Sequence, residues 1–177
     1  ALDPLQARLG LLEVEDHDLA AGFAENLDHG LGRLLAAYPT SNFQVLLRPK
    51  SGISLEQRLF DLLKDEVSPV ELLPSLRRIT PVAGDVTLPK LGMSADDYAR
   101  CAEHSETIIH CAASTSFDQS LIDARSVNLG GTLHVLDFAR DAIKGKSRDR
   151  FRLFHVSTAY VAGATSGVVL PDQLNLA

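Results

Sequence analysis

At 177 residues the chain has the length of one ordinary domain, and its 45% hydrophobic content is enough to bury a core. A formal charge of −6, with no Lys/Arg run longer than two, gives no basic field for nucleic acid, so any anion site has to be local. No apolar run approaches the roughly 18 to 20 residues that cross a bilayer, the start lacks signal-peptide order, and two cysteines make no disulfide framework. These features together predict a soluble protein of the reducing cytoplasm.

Asp3-Pro4 has the form of a helix start, and Leu5, Leu9 and Leu12 would share one helical face. After an acidic patch, Leu19, Phe23, Leu27, Leu31, Leu34, Leu35 and Tyr38 recur at three- and four-residue spacing, which predicts an amphipathic helix ended by Pro39. Residues 1–40 are therefore expected to be a helical N-terminal segment. Phe43 to Leu47 reads as a strand that delivers Arg48, Pro49 and Lys50 at its C-terminal end. Ser54, with Gln57 completing a capping box, starts a helix running to about Glu66. A loop with Pro69 and Pro74 leads to a second strand, Ile79 to Ala83, closed by Gly84-Asp85.

Ser94 to about Glu103 is a further helix. The stretch Thr107 to Phe117 reads as a buried strand, ending near residue 112, that runs into a small, hydroxyl-rich turn. Ser120 to about Ile143 holds a long helical pattern interrupted by Gly130-Gly131, and Arg152 to Val156 is the last strand. Strands and helices alternate from residue 43 onward, so residues 41–177 are expected to form a doubly wound α/β unit with a parallel sheet.

In such sheets ligands bind beyond the carboxyl ends of the strands. Those ends offer Arg48 with Lys50, then Gly84-Asp85, then Cys111, Ala112 and Ala113, then Ser157-Thr158. Two cations suit a ribose 2′-phosphate, Asp85 could accept from an adenine amino group, and the alanines leave room for a dinucleotide backbone. Each residue also has a plain alternative: a solvated loop for Arg48 and Lys50, a turn for Asp85 and Thr158, a helix position for Asn128. Six histidines never fall in an HExxH pattern and Cys101-Ala-Glu-His104 has no second pair, so no metal site is expected.

Five segments then resemble a known family in order and spacing. Val45-Leu-Leu-Arg-Pro-Lys-Ser-Gly52, Pro81-Val-Ala-Gly-Asp85, Ile108-Ile-His-Cys-Ala-Ala113, Val127-Asn-Leu-Gly-Gly-Thr132 and His155-Val-Ser-Thr-Ala-Tyr-Val161 are similar to the NADP-binding half of fatty acyl-CoA reductases. They are equally similar to thioester-reductase domains that terminate multidomain synthetases, within the extended short-chain dehydrogenase/reductase group. The resemblance implies a Rossmann-like fold, NADP(H) as cofactor, and an acyl thioester on coenzyme A or a carrier protein as substrate. It implies Arg48 and Lys50 as 2′-phosphate contacts, Asp85 and Val86 as adenine contacts, and Cys111, Ala112, Ala113 and Ser157 along the cofactor. Asn128 and Thr158 are implied as members of the catalytic set.

Two departures accompany the resemblance. The family opens with a strand and a glycine-rich loop, T-G-x-T-G-F-L-G, that holds the pyrophosphate; here Asp16-His-Asp-Leu-Ala-Ala-Gly-Phe23 stands at that distance, with only Gly22-Phe23 in common. The family's YxxxK lies downstream of its Ser/Thr motif, and no tyrosine follows Tyr160. The fold is therefore expected to be incomplete at the first strand and in the C-terminal region, as a portion of a longer parent. Residues 9–27 are also faintly similar to a carrier-protein segment, with Asn26 where such a segment needs a serine. The alternatives to a reductase are a non-catalytic structural or interaction module of the same fold, and an extended-family sugar epimerase or dehydratase.

Overall fold

A computed structural model of the chain describes residues 9–14, 24–114, 118–157 and 167–168. Its strands are β1 (Leu9–Val14), β2 (Phe43–Leu47), β3 (Ile79–Ala83), β4 (Thr107–His110) and β5 (Arg152–His155). They pair in parallel in the order β3-β2-β1-β4-β5. This is the doubly wound order, in which the winding reverses direction at β1 and a crevice opens between the C-terminal ends of β1 and β4.

The helices are α1 (Ala24–Ala37), α2 (Leu55–Leu63), α3 (Pro69–Leu76), α4 (Ala95–His104), α5 (Leu121–Ala124) and α6 (Thr132–Ala142); a π-helical segment, Arg125–Gly131, joins the last two. Side chains along β2 alternate between two cores. Val45 and Leu47 pack with Leu31 and Leu35 of α1, Leu59 and Leu63 of α2, and Leu72 of α3. Leu46, between them, packs with Val82, Ile108, Cys101 of α4 and Val135, Phe138 and Ala139 of α6. Covering both faces explains why Val45-Leu46-Leu47 reads as an apolar run rather than an alternating one. Each such leucine, fully removed from water, contributes about 1.5–3 kcal/mol. On the α4/α6 side the Tyr98 and Phe138 rings meet edge to face with centroids 5.2 Å apart, and the Tyr98 hydroxyl donates to Asp141 at 2.9 Å.

The doubly wound α/β class holds, and three expectations are corrected. The first strand is not missing: Leu9–Val14, expected to carry part of a helical face, is β1, paired with both β2 and β4. The sheet therefore crosses the boundary expected at residue 40. The leucines and valine of Leu9-Gly-Leu-Leu-Glu-Val14 fit a strand as well as one helical face, and pairing with both neighbours decides it, with Gly10 disfavouring helix. Second, the loop expected around Pro69 and Pro74 is α3. Pro69 sits at the first helical position, and the carbonyl that Pro74 leaves without a donor belongs to Val70, whose residue is 85% exposed. Third, Gly130-Gly131 does not interrupt the long helix but lies in its widened π turn.

Elsewhere β2 and β3 match their expected bounds, and the Ser54 hydroxyl accepts from the Gln57 backbone N–H at 3.1 Å to start α2. Among the described residues no helix is long and apolar enough to cross a membrane.

Candidate functional site

The C-terminal ends of the strands form one rim, and its residues are tied to one another. At the end of β2, Arg48 turns its guanidinium onto Asp85 at the end of β3, with Nε 3.0 Å from Oδ2 and an Nη donating to Oδ1 at 3.2 Å. The contact is an ion pair carrying one charge-assisted hydrogen bond, through Nη. The Thr87 backbone N–H and hydroxyl also donate to Asp85 Oδ1, at 2.8 and 2.7 Å. Burial alone would raise the Asp85 pKa, but the Thr87 hydrogen bonds and the Arg48 charge outweigh it and hold the carboxyl below its ordinary value. Arg58, on α2 and buried, donates to the Arg48 carbonyl and so fixes the β2 exit. Lys50, two residues past Arg48, is exposed.

Gly84 makes the approach of β3 to its following turn possible. A Cβ there would stand 2.3 Å from the Leu46 side chain and 2.5 Å from the Leu91 carbonyl oxygen, so no larger residue fits. The Asp85 N–H donates to that same Leu91 carbonyl at 2.7 Å, and Lys90, Leu91 and Gly92 all have positive φ as the chain folds back. Val86 is fully buried, and its carbonyl accepts from His134 Nδ1 of α6 at 2.7 Å. Gly131 lies directly over it, with room for a Cβ only 3.0 Å from a Val86 methyl. The adenine contact expected of Val86 therefore lies beneath the rim, held by α6.

At the end of β4, Cys111 turns its side chain into one core and Ala112 into the other, so both present main chain to the crevice; Ala113 is half-buried. Asn128, in the π segment, accepts from the Ser114 N–H at 2.7 Å and donates to the Ser114 carbonyl at 3.0 Å. Its amide thus pairs with the backbone of the β4 turn as another strand would. His110, in β4, is buried; its Nε2 lies 3.1 Å from Thr132 Oγ1, and its ring stacks on His155 of β5 with centroids 5.0 Å apart. Ser157 is exposed just beyond β5, and the Val156 N–H donates to the His110 carbonyl at 2.8 Å. Thr158, the phosphate-loop region Asp16 to Phe23 and the YxxxK region lie outside the described residues.

The expected residues thus gather into two knots, Arg48 with Asp85 and Asn128 with the β4 turn, joined through Val86, Gly131 and His134. Sequence reasoning missed Arg58, Thr87, His110 and Thr132. Thr87 had a local signal, since a hydroxyl two residues after an aspartate commonly closes a small turn. His110 and Thr132 sat inside recognised segments with no sign of a shared role. The crevice fits a dinucleotide on its own terms: cations beyond β2, an approach that admits only glycine at position 84, and main chain rather than bulk at the β4 exit.

Fold and rim together define a dinucleotide-binding α/β domain. Comparison with known proteins refines this class: the family model described as male sterility protein, an NAD-binding domain, matches residues 29–174, and the chain belongs to that family. The family makes the ligand a nicotinamide cofactor. The chain is 33% identical over 131 residues to the fatty acyl-CoA reductase wat of Drosophila melanogaster, covering 72% of this chain and 24% of the relative. It is 35% identical over 117 residues to the probable fatty acyl-CoA reductase 4 of Arabidopsis thaliana, covering 65% and 23%. Among solved structures, the terminal R domain of the myxalamid PKS-NRPS pathway is 26% identical with a TM-score of 0.61, covering 89% of this chain and 36% of that one. The chain therefore spans about a quarter of the length of these curated relatives.

Proposed function

We propose that this chain is the NADP(H)-binding part of a reductase that converts an acyl thioester, on coenzyme A or a carrier protein, to an aldehyde or alcohol. The observation that carries the cofactor reading is the Arg48–Asp85 pair across the ends of β2 and β3. It holds a guanidinium where the ribose of the adenosine half lies in doubly wound folds, and Lys50 adds a second cation. An NAD-selective site would place a carboxylate on that ribose instead.

In this reading Arg48 and Lys50 bind the 2′-phosphate, and Asp85 with the Val86 segment flanks the adenine. The main chain of Cys111 and Ala112, with Ala113 and Ser157, lines the rest of the cofactor. Asn128 holds the β4 turn in shape, and Thr158 polarises the thioester carbonyl. Bound NADPH supplies the hydride. The thioester substrate rests on the relatives, which are fatty acyl-CoA reductases and an R domain from a multidomain synthetase pathway. A cytoplasmic setting suits both this cofactor and the two buried thiols, Cys101 and Cys111.

One observation favours a second reading, a non-catalytic module of the same fold: the Arg48 guanidinium already engages a carboxylate of its own chain. The two readings part on Arg48→Ala. Loss of a charge-assisted contact to the 2′-phosphate should weaken NADPH about tenfold or more while leaving NADH nearly unchanged. Equal affinities of wild type and variant for NADPH, measured by calorimetry, would leave the module reading standing.

A further inference from the structure

We propose that His110 and Thr132 are positioning residues that set the shape of the cofactor-lining turn Cys111–Ala113, through a two-point grip on Asn128. The importance of that turn rests on the cofactor reading above; the grip itself rests on geometry alone.

The three residues Cys111, Ala112 and Ala113 belong to neither strand nor helix; Cys111 and Ala112 anchor in the two cores, and hydrogen bonds hold the segment at both ends. At the far end both backbone groups of Ser114 go to the Asn128 side-chain amide, at 2.7 and 3.0 Å. At the near end His110 Nε2 meets Thr132 Oγ1 at 3.1 Å, and the Thr132 hydroxyl donates to the Asn128 carbonyl at 2.7 Å. Because that hydroxyl proton is committed to a carbonyl, Oγ1 accepts from His110, which places the imidazole proton on Nε2. The strand end and the turn end thus converge on one residue, by its main chain and by its side chain.

The π turn makes this convergence possible. The Thr132 backbone N–H reaches the Leu129 carbonyl, three residues back, while its hydroxyl serves the Asn128 carbonyl. The widened turn lies against Val86 because residue 131 is glycine. His155, directly across the β4–β5 register, stacks on the His110 ring at an interplanar angle of 26° and fixes its plane.

His110 is 2% exposed, and its Nδ1 has no hydrogen-bond partner among the described residues. An aliphatic strand residue would avoid that unsatisfied atom, so a histidine here is poorly explained by stability alone. It is well explained by the proton it delivers to Thr132.

The test uses this chain with three substitutions: Thr132→Val, which keeps shape and removes the hydroxyl; Thr132→Ser, which keeps the hydroxyl; and His110→Phe, which keeps a ring against His155. Hydrogen exchange at the Ser114 amide is read by NMR, with the Val45 amide in the distant β2 core as reference for global opening. Thr132→Val and His110→Phe should speed Ser114 exchange about tenfold relative to Val45, and Thr132→Ser should stay within about twofold of wild type. NADPH affinity should fall and recover in the same order. Unchanged relative Ser114 exchange in Thr132→Val would overturn the grip. Failure of wild type itself to bind NADPH would instead overturn the cofactor reading, with Ser114 exchange still deciding the grip.

Discussion

His110 and Asp85 are both partly or wholly removed from water, yet their titrations act in separate pH windows. Burial, with a smaller contribution from His155, lowers the His110 pKa from 6.5 to about 4. The unfolded chain takes up a proton near pH 6.5 that the folded chain refuses until about pH 4. His110 therefore costs no stability above its unfolded pKa, and the fold loses stability as pH falls from 6.5 toward 4, by up to about 3 kcal/mol. Asp85 acts in the same direction, at lower pH. Its folded pKa lies below 3.8, so its contribution is present above 3.8 and is lost only as pH falls further. Urea unfolding followed from pH 7 to pH 4 should show the His110 slope, and His110→Phe should flatten it. A wild-type profile already flat over that range would refute a neutral, buried imidazole.

At the scale of elements, the turn after β3 is the least forgiving piece of the rim. Gly84 lies against both Leu46 and the Leu91 carbonyl, and two non-glycine residues of the same turn, Lys90 and Leu91, have positive φ. Gly84→Ala should destabilise the fold by about 2–3 kcal/mol through overpacking and displace Asp85 from Arg48, as read by thermal unfolding and NADPH titration. An alanine variant of wild-type stability would show that the turn yields easily.

Much of this level was legible beforehand. β2 announced itself by an apolar run, α2 by Ser54 and Gln57, and the rim by what stands just after each strand. β1 was not, because Leu9 and Leu12 fit a helical face and the pairing that makes them a strand comes from residues 43–47 and 107–109. α3 was hidden by its two prolines, and the π turn by a glycine pair of which Gly131 lies against Val86, 45 residues earlier in the chain. The same limit hid the site's internal bonding. Arg48 and Asp85 were each expected to face a ligand, and their bond to one another depends on β2 and β3 being neighbours.

On the scale of the whole molecule, two apolar layers sandwich a five-stranded parallel sheet, and every expected site residue that is described lies at its C-terminal edge. That placement follows from topology: reversal of winding at β1 opens the crevice there and nowhere else along the sheet. Family membership over residues 29–174 agrees with the segments recognised from sequence alone, which run from β2 to the end of β5 and beyond. The central claim is that this edge holds NADP(H). Calorimetric titration of the purified chain with NADPH and, in parallel, NADH tests it most directly. Saturable NADPH binding at least about tenfold tighter than NADH is expected; no heat of binding at millimolar NADPH would overturn the claim.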